Sequence, residues 1–430
     1  MFRAIREILN CDCVGESVKT RGWIYRTRSS GGIVFIVLRD SSGIIQVTVK
    51  KGNLPEAEFQ DAKKALIESS VEVEGVIAED KRAPGGVEIR TTSFKVVSFA
   101  EPFPITENQS EELLMDYRHL WLRSREMTAM LKVRSTIFGA IDEFFRSRGY
   151  YEFQAPTLTG SSCEGGATQF EVKYFDRKAY LTQSWQLYAE AAIFSLEKIY
   201  DIAPSFRAEP SKTSRHLTEF WHAEMEVAWA HMDDVIKEAE ELISFICKTV
   251  AEKNAPELEI FGVNPDELLK ITPPFPRIKY DKALELLKDA GMDVPYGKDL
   301  RTLEEEKLSK MFDKPLFVTH YPEEIMAFYK PEDKNDPGKA LCFDLLATDG
   351  YGEIIGGSER ETDIEVLRKK LIRDGEDPAN YEWYMDLRRY GSVPHSGFGM
   401  GVERVLRWIL RLEHIKDTTG FPRLRNRIYP

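Results

Sequence analysis

The spacing of β-rich runs narrows the possible folds more than any other feature of this 430-residue chain. Residues 17–99 carry five such runs: Ser17–Tyr25, Val34–Arg39, Ile44–Lys50, Ser70–Ile77 and Phe94–Ser98. Gly31-Gly32, Ser41-Ser42-Gly43 and Pro84-Gly85-Gly86 supply the turns between them. One helical stretch, about Leu54–Glu68, interrupts after the third run. Five strands with a helix between the third and fourth predict a small Greek-key barrel of the OB type over residues 1–103. After a polar linker, residues 104–125, the pattern changes. Ile137, Ala140, Ile141, Phe144 and Phe145 recur at helical spacing, and Gly149 stops that helix. Val235–Glu252 is a second amphipathic helix. Strand-like runs at Ala179–Thr182, Ser205–Ala208, Glu219–Trp229, Ala340–Leu346 and Ser396–Met400 do not alternate regularly with helices. Residues 126–430 are therefore expected to form an α+β domain, a mainly antiparallel sheet flanked by helices, and not a doubly wound one.

Composition excludes some roles. The net charge of −12 argues against indiscriminate coating of nucleic acid. Residues 1–50 hold eight Lys/Arg against four Asp/Glu, the opposite balance, which favours a polyanion partner for the barrel. No apolar run approaches a membrane span, and Met1–Glu7 does not lead into a secretory signal, so a cytoplasmic location is expected. The five scattered cysteines read as thiols. Cys11 and Cys13 lack a second pair at zinc-site spacing.

Two arginine-bearing segments carry the chemistry. One is Phe206-Arg207-Ala208-Glu209, followed by Arg215-His216-Leu217-Thr218-Glu219-Phe220. The other is Gly397-Phe398-Gly399-Met400-Gly401-Val402-Glu403-Arg404. The chain has no Gly-rich P-loop and no strand–Gly-x-Gly-x-x-Gly–helix unit, so a bound nucleotide must be held by side chains. Guanidinium forks such as Arg207 and Arg404 bind two phosphoryl oxygens at once. Phe220 can stack on a purine, Arg404 can cover the other face, and Glu209 can accept from an exocyclic amine.

With these segments, Gly149-Tyr150-Tyr151-Glu152 through Pro156 completes a set that resembles the three motifs of class II aminoacyl-tRNA synthetases. The subgroup is the one that handles aspartate, asparagine and lysine. The resemblance spans essentially the whole chain, with the barrel in the place of the anticodon-binding domain. It implies that ATP binds bent, with Arg207 on the α-phosphate and Arg404 and His216 at the γ-phosphate. Arg215, Leu217 and Gly401 complete the ATP wall. Glu353 would hold Mg²⁺. The family's second metal-side position is commonly a serine in aspartate enzymes, and Gly356 occupies it here. The resemblance also implies a homodimer formed through the first motif.

The amino acid turns on few residues. Aspartate enzymes of the subgroup end Gln-Ser-x-Gln-Leu-(aromatic) with a lysine that neutralises the substrate carboxylate. Here Gln183-Ser184-Trp185-Gln186-Leu187-Tyr188 is followed by Ala189. Aspartate enzymes also carry aspartate where Glu224 stands. A glutamate can accept an amide N–H and repel a carboxylate, which discriminates near-isosteres. Arg360 matches the arginine that grips the side-chain oxygen, with Glu359 beside it in place of glutamine. Glu164, in Ser162-Cys163-Glu164-Gly165-Gly166, and Gln186 match the residues near the substrate ammonium. The expected reaction is activation of L-asparagine by ATP and transfer to tRNA-Asn. An aspartate enzyme tolerant of both tRNAs, a tRNA-independent asparagine synthetase and a non-catalytic paralogue are the rivals. In the barrel, the resemblance places Phe35 and Gln46 on anticodon bases. Arg28 is a plausible phosphate or base contact, and Trp23 is expected in the core.

Overall fold

The computed structural model describes residues 1–106, 108–163, 168–209 and 213–430. The chain divides into two compact units, Met1–Leu114 and Met115–Pro430. In the first, β1 (Ser17–Ser30), β2 (Ile33–Arg39), β3 (Ile44–Lys50), β4 (Ser70–Glu79) and β5 (Val87–Ser98) close a barrel in the order β1-β2-β3-β5-β4. Period-two burial builds it. Val34, Ile36 and Leu38 of β2 and Ile45, Val47 and Val49 of β3 point inward, each at most 1% exposed. The helix Glu56–Lys64 packs Phe59 and Ala62 onto this core. β1 runs five residues beyond the expected Tyr25. Arg26–Ser30 pair with Val37–Ile33 past a bulge, although none of the five is buried, so the hydrophobic pattern gave no sign of them.

Two expectations for this unit change. Trp23 is 46% exposed and lies outside the core. Cys11 and Cys13 are joined as a disulfide, their Cα atoms 5.2 Å apart. Cys163, Cys247 and Cys342 are free and buried.

The second unit begins within the stretch that reads as a linker. Arg118 is fully buried and donates to the carbonyls of Lys416, Thr419 and Gly420 at 2.8–2.9 Å. Those partners lie some three hundred residues away in the chain, so the polarity of residues 115–125 could not reveal their burial. The unit holds β6 (Tyr151–Glu152), β7 (Leu158–Thr159), β8 (Glu171–Tyr174), β9 (Arg177–Leu181), β10 (Lys198–Phe206) and β11 (Glu219–Ala228). β12 (Arg277–Lys279), β13 (Leu316–Thr319), β14 (Cys342–Ala347), β15 (Gly352–Glu359) and β16 (His395–Gly401) follow. Eight of these form one sheet, β12-β13-β14-β15-β16-β11-β10-β6. Only the outermost pairs, β12/β13 and β10/β6, are parallel. Helices Arg125–Ser147 and Met232–Lys253 cover one face with their apolar stripes and form the main core with Phe343, Phe398 and Met400. β7, β9 and β8 make a small separate sheet.

Long-range packing also fixes this core face. Gly357 of β15 lies between Phe343 and Phe398, and a Cβ there would stand 2.3 Å from the Phe343 ring and 2.8 Å from the Phe398 Cβ. Gly357→Ala is therefore expected to destabilise this unit by about 1–3 kcal/mol through overpacking. Urea unfolding checks it, and an unchanged midpoint would mean that the two phenylalanines yield.

Candidate active site

β10 and β11 form a hairpin, and β16 and β15 continue the sheet beside it. Side chains from one face of these strands line two adjoining clefts. The first gathers every residue the sequence assigns to ATP. Arg207 and Phe220 lie together, the guanidinium carbon 5.4 Å from the ring centroid. Arg207 Nε is buried without a hydrogen-bond partner among the described residues. Glu209 Oε2 is 3.5 Å from His216 Nε2, and Thr213 Oγ1 lies 2.5 Å from His216 Nδ1. Burial, and then the charge of Arg404, hold His216 below the usual imidazole range. Arg404 donates to Glu353 Oε2 at 2.7 Å. Burial alone would raise the Glu353 carboxyl, but Arg404 outweighs it and keeps it well below the usual carboxylate range. Arg215 is 5% exposed and donates to Glu305 at 2.5 Å. Glu305 also accepts the Glu353 N–H at 2.8 Å, so the arginine braces β15 at Glu353. Leu217 and Gly401 complete the wall.

The second cleft holds Gln186, Glu224, Gly356 and Arg360. Arg360 donates through Nε and Nη2 to Glu226 at 3.0 and 2.7 Å, and through Nη1 to Ser358 Oγ at 2.8 Å. Glu224 accepts from Ser184 Oγ at 2.5 Å and from the Trp185 N–H at 2.9 Å. Burial works against its charge, yet His222 and these donors hold its carboxyl below the usual range. Gln186 donates Nε2–H to Glu190 at 3.0 Å, which orients its amide. Glu190 is itself buried and also bonded by Tyr384, Arg388 and His395.

Position 189 is corrected. Ala189 is 0% exposed and packs among Trp185, Ile193, Ile199 and Ala228. It lines neither cleft, and its neighbours leave it a core residue. Glu164 lies outside the described residues. The donor set fits a divalent cation at the junction of the clefts, although Gly356 offers no side-chain ligand. A Cβ at Gly356 would stand 3.2 Å from Glu353 Oε1 and 3.5 Å from Asp344 Oδ1, so two carboxylates converge where the family serine would sit. Burial, then the nearby charges of Glu353 and Asp299, push the Asp344 carboxyl well above its usual range. Such crowded oxygens suit a hard cation.

Residues 110–425 match the family of tRNA synthetases class II (D, K and N), and residues 18–97 match the OB-fold nucleic acid binding domain. The chain belongs to the class II (D, K and N) tRNA synthetases. It is 49% identical to an asparagine–tRNA ligase of Pyrococcus furiosus over 97% of this chain and 96% of that protein. It is 47% identical to that of Thermoplasma acidophilum, over 99% and 100%. Among solved structures, it superposes on the asparaginyl-tRNA synthetase of Pyrococcus horikoshii, complexed with asparaginyl-adenylate, with a TM-score of 0.97. That comparison covers the whole of both chains at 47% identity.

The synthetase site contains residues that sequence reasoning missed. Asp344 had a signal, as the one acid inside the otherwise apolar strand Cys342–Ala347. Glu226 and Glu190 had none, because their partners Arg360 and Arg388 lie 134 and 198 residues away. Lys330 also lines the second cleft, where Asp299 and Asp344 oppose its charge.

In the barrel, Arg28 and Phe35 face each other across β1 and β2, the guanidinium carbon 4.8 Å from the ring centroid. Phe35 alternates with the buried Val34 and Ile36 and so points outward. Gln46 donates to Glu88 at 3.0 Å.

Proposed function

We propose that this synthetase activates asparagine with ATP and transfers it to tRNA-Asn. The observation that carries this reading is the Glu224 carboxylate, ionised and fixed at the second cleft. Ser184 and Trp185 fill part of its acceptor capacity, and a carboxylate has about four lone-pair sites, so room remains for an amide N–H. Aspartate would place a second anion there. Arg360, held by Glu226 and Ser358, donates to the side-chain carbonyl. Gln186 receives the substrate ammonium on its oxygen, because its N–H is committed to Glu190.

Arg207 clamps the α-phosphate and offsets the charge that develops as the substrate carboxylate attacks phosphorus. Phe220 and Arg404 enclose adenine, Glu209 accepts from its amine, and His216 meets the terminal phosphate. Arg215, Leu217 and Gly401 shape the wall. Glu353 and Asp344 would hold Mg²⁺, which would neutralise the phosphates. Catalysis is then positioning and charge stabilisation. The outward Phe35, with Arg28 and Gln46, serves the anticodon, since exposed barrel aromatics stack on single-stranded bases. Edge strand β6, where Tyr151 is 59% exposed, supports a homodimer, and light scattering would detect a monomer.

Pyrophosphate exchange tests the substrate directly: asparagine is expected to support it far better than aspartate, and the reverse result would sink the reading. Glu224→Gln should raise the KM for asparagine roughly 10- to 100-fold, the weight of one hydrogen bond to a charged group. Phe35→Ala is expected to reduce charging of tRNA much more than exchange. Equal losses would make Phe35 structural.

ATP binding should also take up protons. His216 starts below the usual imidazole range, and a facing phosphate raises it. The added affinity is thus fully present below the free-state value and lost as pH rises through the bound-state value. Calorimetry in buffers of different ionisation heat reads this. No buffer dependence, or proton release, would remove His216 from the phosphate contact.

A further inference from the structure

Arg207, His222, Glu353 and Gly399 line both clefts. Their junction is where the substrate carboxylate meets the α-phosphate, and so where the carbonyl of the adenylate must lie. Arg207 and Glu353 serve the phosphates and the cation; His222 holds Glu224 ionised from its Nδ1 side, and its Nε2 edge has no such partner among the described residues.

The imidazole is built into the junction. It sits on Gly399, where a Cβ would come 2.4 Å from Nε2, so only glycine admits the ring. Phe220 packs edge-on against it, with centroids 5.5 Å apart. Nδ1 is buried without a made hydrogen bond, and Glu224 Oε2 is the carboxylate beside it at 3.4 Å. A carboxylate at Nδ1 favours the tautomer that carries its proton there, which leaves the Nε2 lone pair free to accept. No described residue hydrogen-bonds Nε2. The charged groups around the ring are Glu224 on its own strand, Arg207 after β10, Glu353 on β15, and Glu403 and Arg404 on the helix Val402–Ile409. β16 presents only glycines, Gly399 and Gly401.

We propose that His222 is the general base of the transfer half-reaction, a role that rests on the ligase reading above. Nε2 takes the proton of the terminal ribose hydroxyl of tRNA as that oxygen bonds to the acyl carbon. The bond from the acyl carbon to the phosphate oxygen breaks, and AMP leaves with the electron pair. Glu224 stabilises the imidazolium, which then releases its proton to solvent.

Single-turnover transfer from enzyme-bound adenylate, compared with pyrophosphate exchange, tests the role. His222→Asn keeps an N–H near Nδ1 and removes Nε2. It is expected to slow transfer at least roughly a hundredfold more than exchange, the low end of general-base contributions. Transfer should also lose its solvent deuterium isotope effect, the mark of a proton moving as the ester bond forms. His222→Gln restores a polar group near Nε2 but no base, and should fail in the same way. Equal losses in both half-reactions would place His222 in the substrate seat and overturn the proposal. So would the absence of a solvent deuterium isotope effect on transfer in the unaltered enzyme, a measurement that stands even if both variants misfold. Exchange driven by aspartate instead would count against the ligase reading alone, and transfer is then compared with that amino acid.

Discussion

The buried pair of Arg360 and Glu226 is the constraint to which much of the site conforms. The two residues are 5% and 1% exposed, and either charge left alone there would be strongly destabilising. Burial opposes the Arg360 charge, but Glu226 outweighs it and raises its pKa further. The pair needs space on the face of the sheet, and β16 provides it. A Cβ on Gly397 would stand 2.2 Å from Glu226 Oε2 and 2.8 Å from Arg360 Nη2. Two residues on, Gly399 seats His222, and Gly401 lies against the Arg404 stem. The alternate residues Phe398 and Met400 face the opposite way, into the core. The glycine–aromatic alternation is therefore one strand with a cleared face and a filled face. Its glycines admit side chains of neighbouring strands, beyond the approach of backbone to ligand that a sequence alone suggests.

That distinction shows what was legible. The barrel could be read from period-two burial, and the helices Arg125–Ser147 and Met232–Lys253 from apolar spacing, because each signal is local. Arg207, Phe220 and Arg404 could be read because their segments are compact and chemically unusual. The helices Ile364–Arg373 and Glu382–Arg389 went unread. Both are short, and the second buries Tyr384, Met385 and Arg388, a mix with little apolar signature.

Pairing across the chain was not legible. Glu190 shows this best. It looks like an ordinary helix glutamate, yet it is fully buried and gathers Gln186, Tyr384, Arg388 and His395. Only folding brings together the charges that make it tolerable. Ala189 next to it erred the other way. Family pattern made it a substrate contact, but the turn of its helix points it into an apolar cluster. What the pattern retains is the lack of a lysine there, an inference about charge and not about contact.

The arginines of the two clefts differ in a way that bears on catalysis. Arg360 and Arg404 have carboxylate partners, and their geometry is set before any ligand arrives. Arg207 has an aromatic neighbour and a buried, unbonded Nε. An unmade hydrogen bond at a buried charged group is costly, on the order of 1–3 kcal/mol or more. A group that supplies an acceptor recovers that cost. Charge that grows on the α-phosphate oxygens as the carboxylate attacks is such an acceptor, and it is strongest in the transition state. In the proposed role, Arg207 thus keeps a donor available where charge grows, and any part of that bond that strengthens in the transition state is differential binding. In the proposed function, the two carboxylate-paired arginines set where the substrates lie, and Arg207, its Nε uncommitted among the described residues, stands where charge changes.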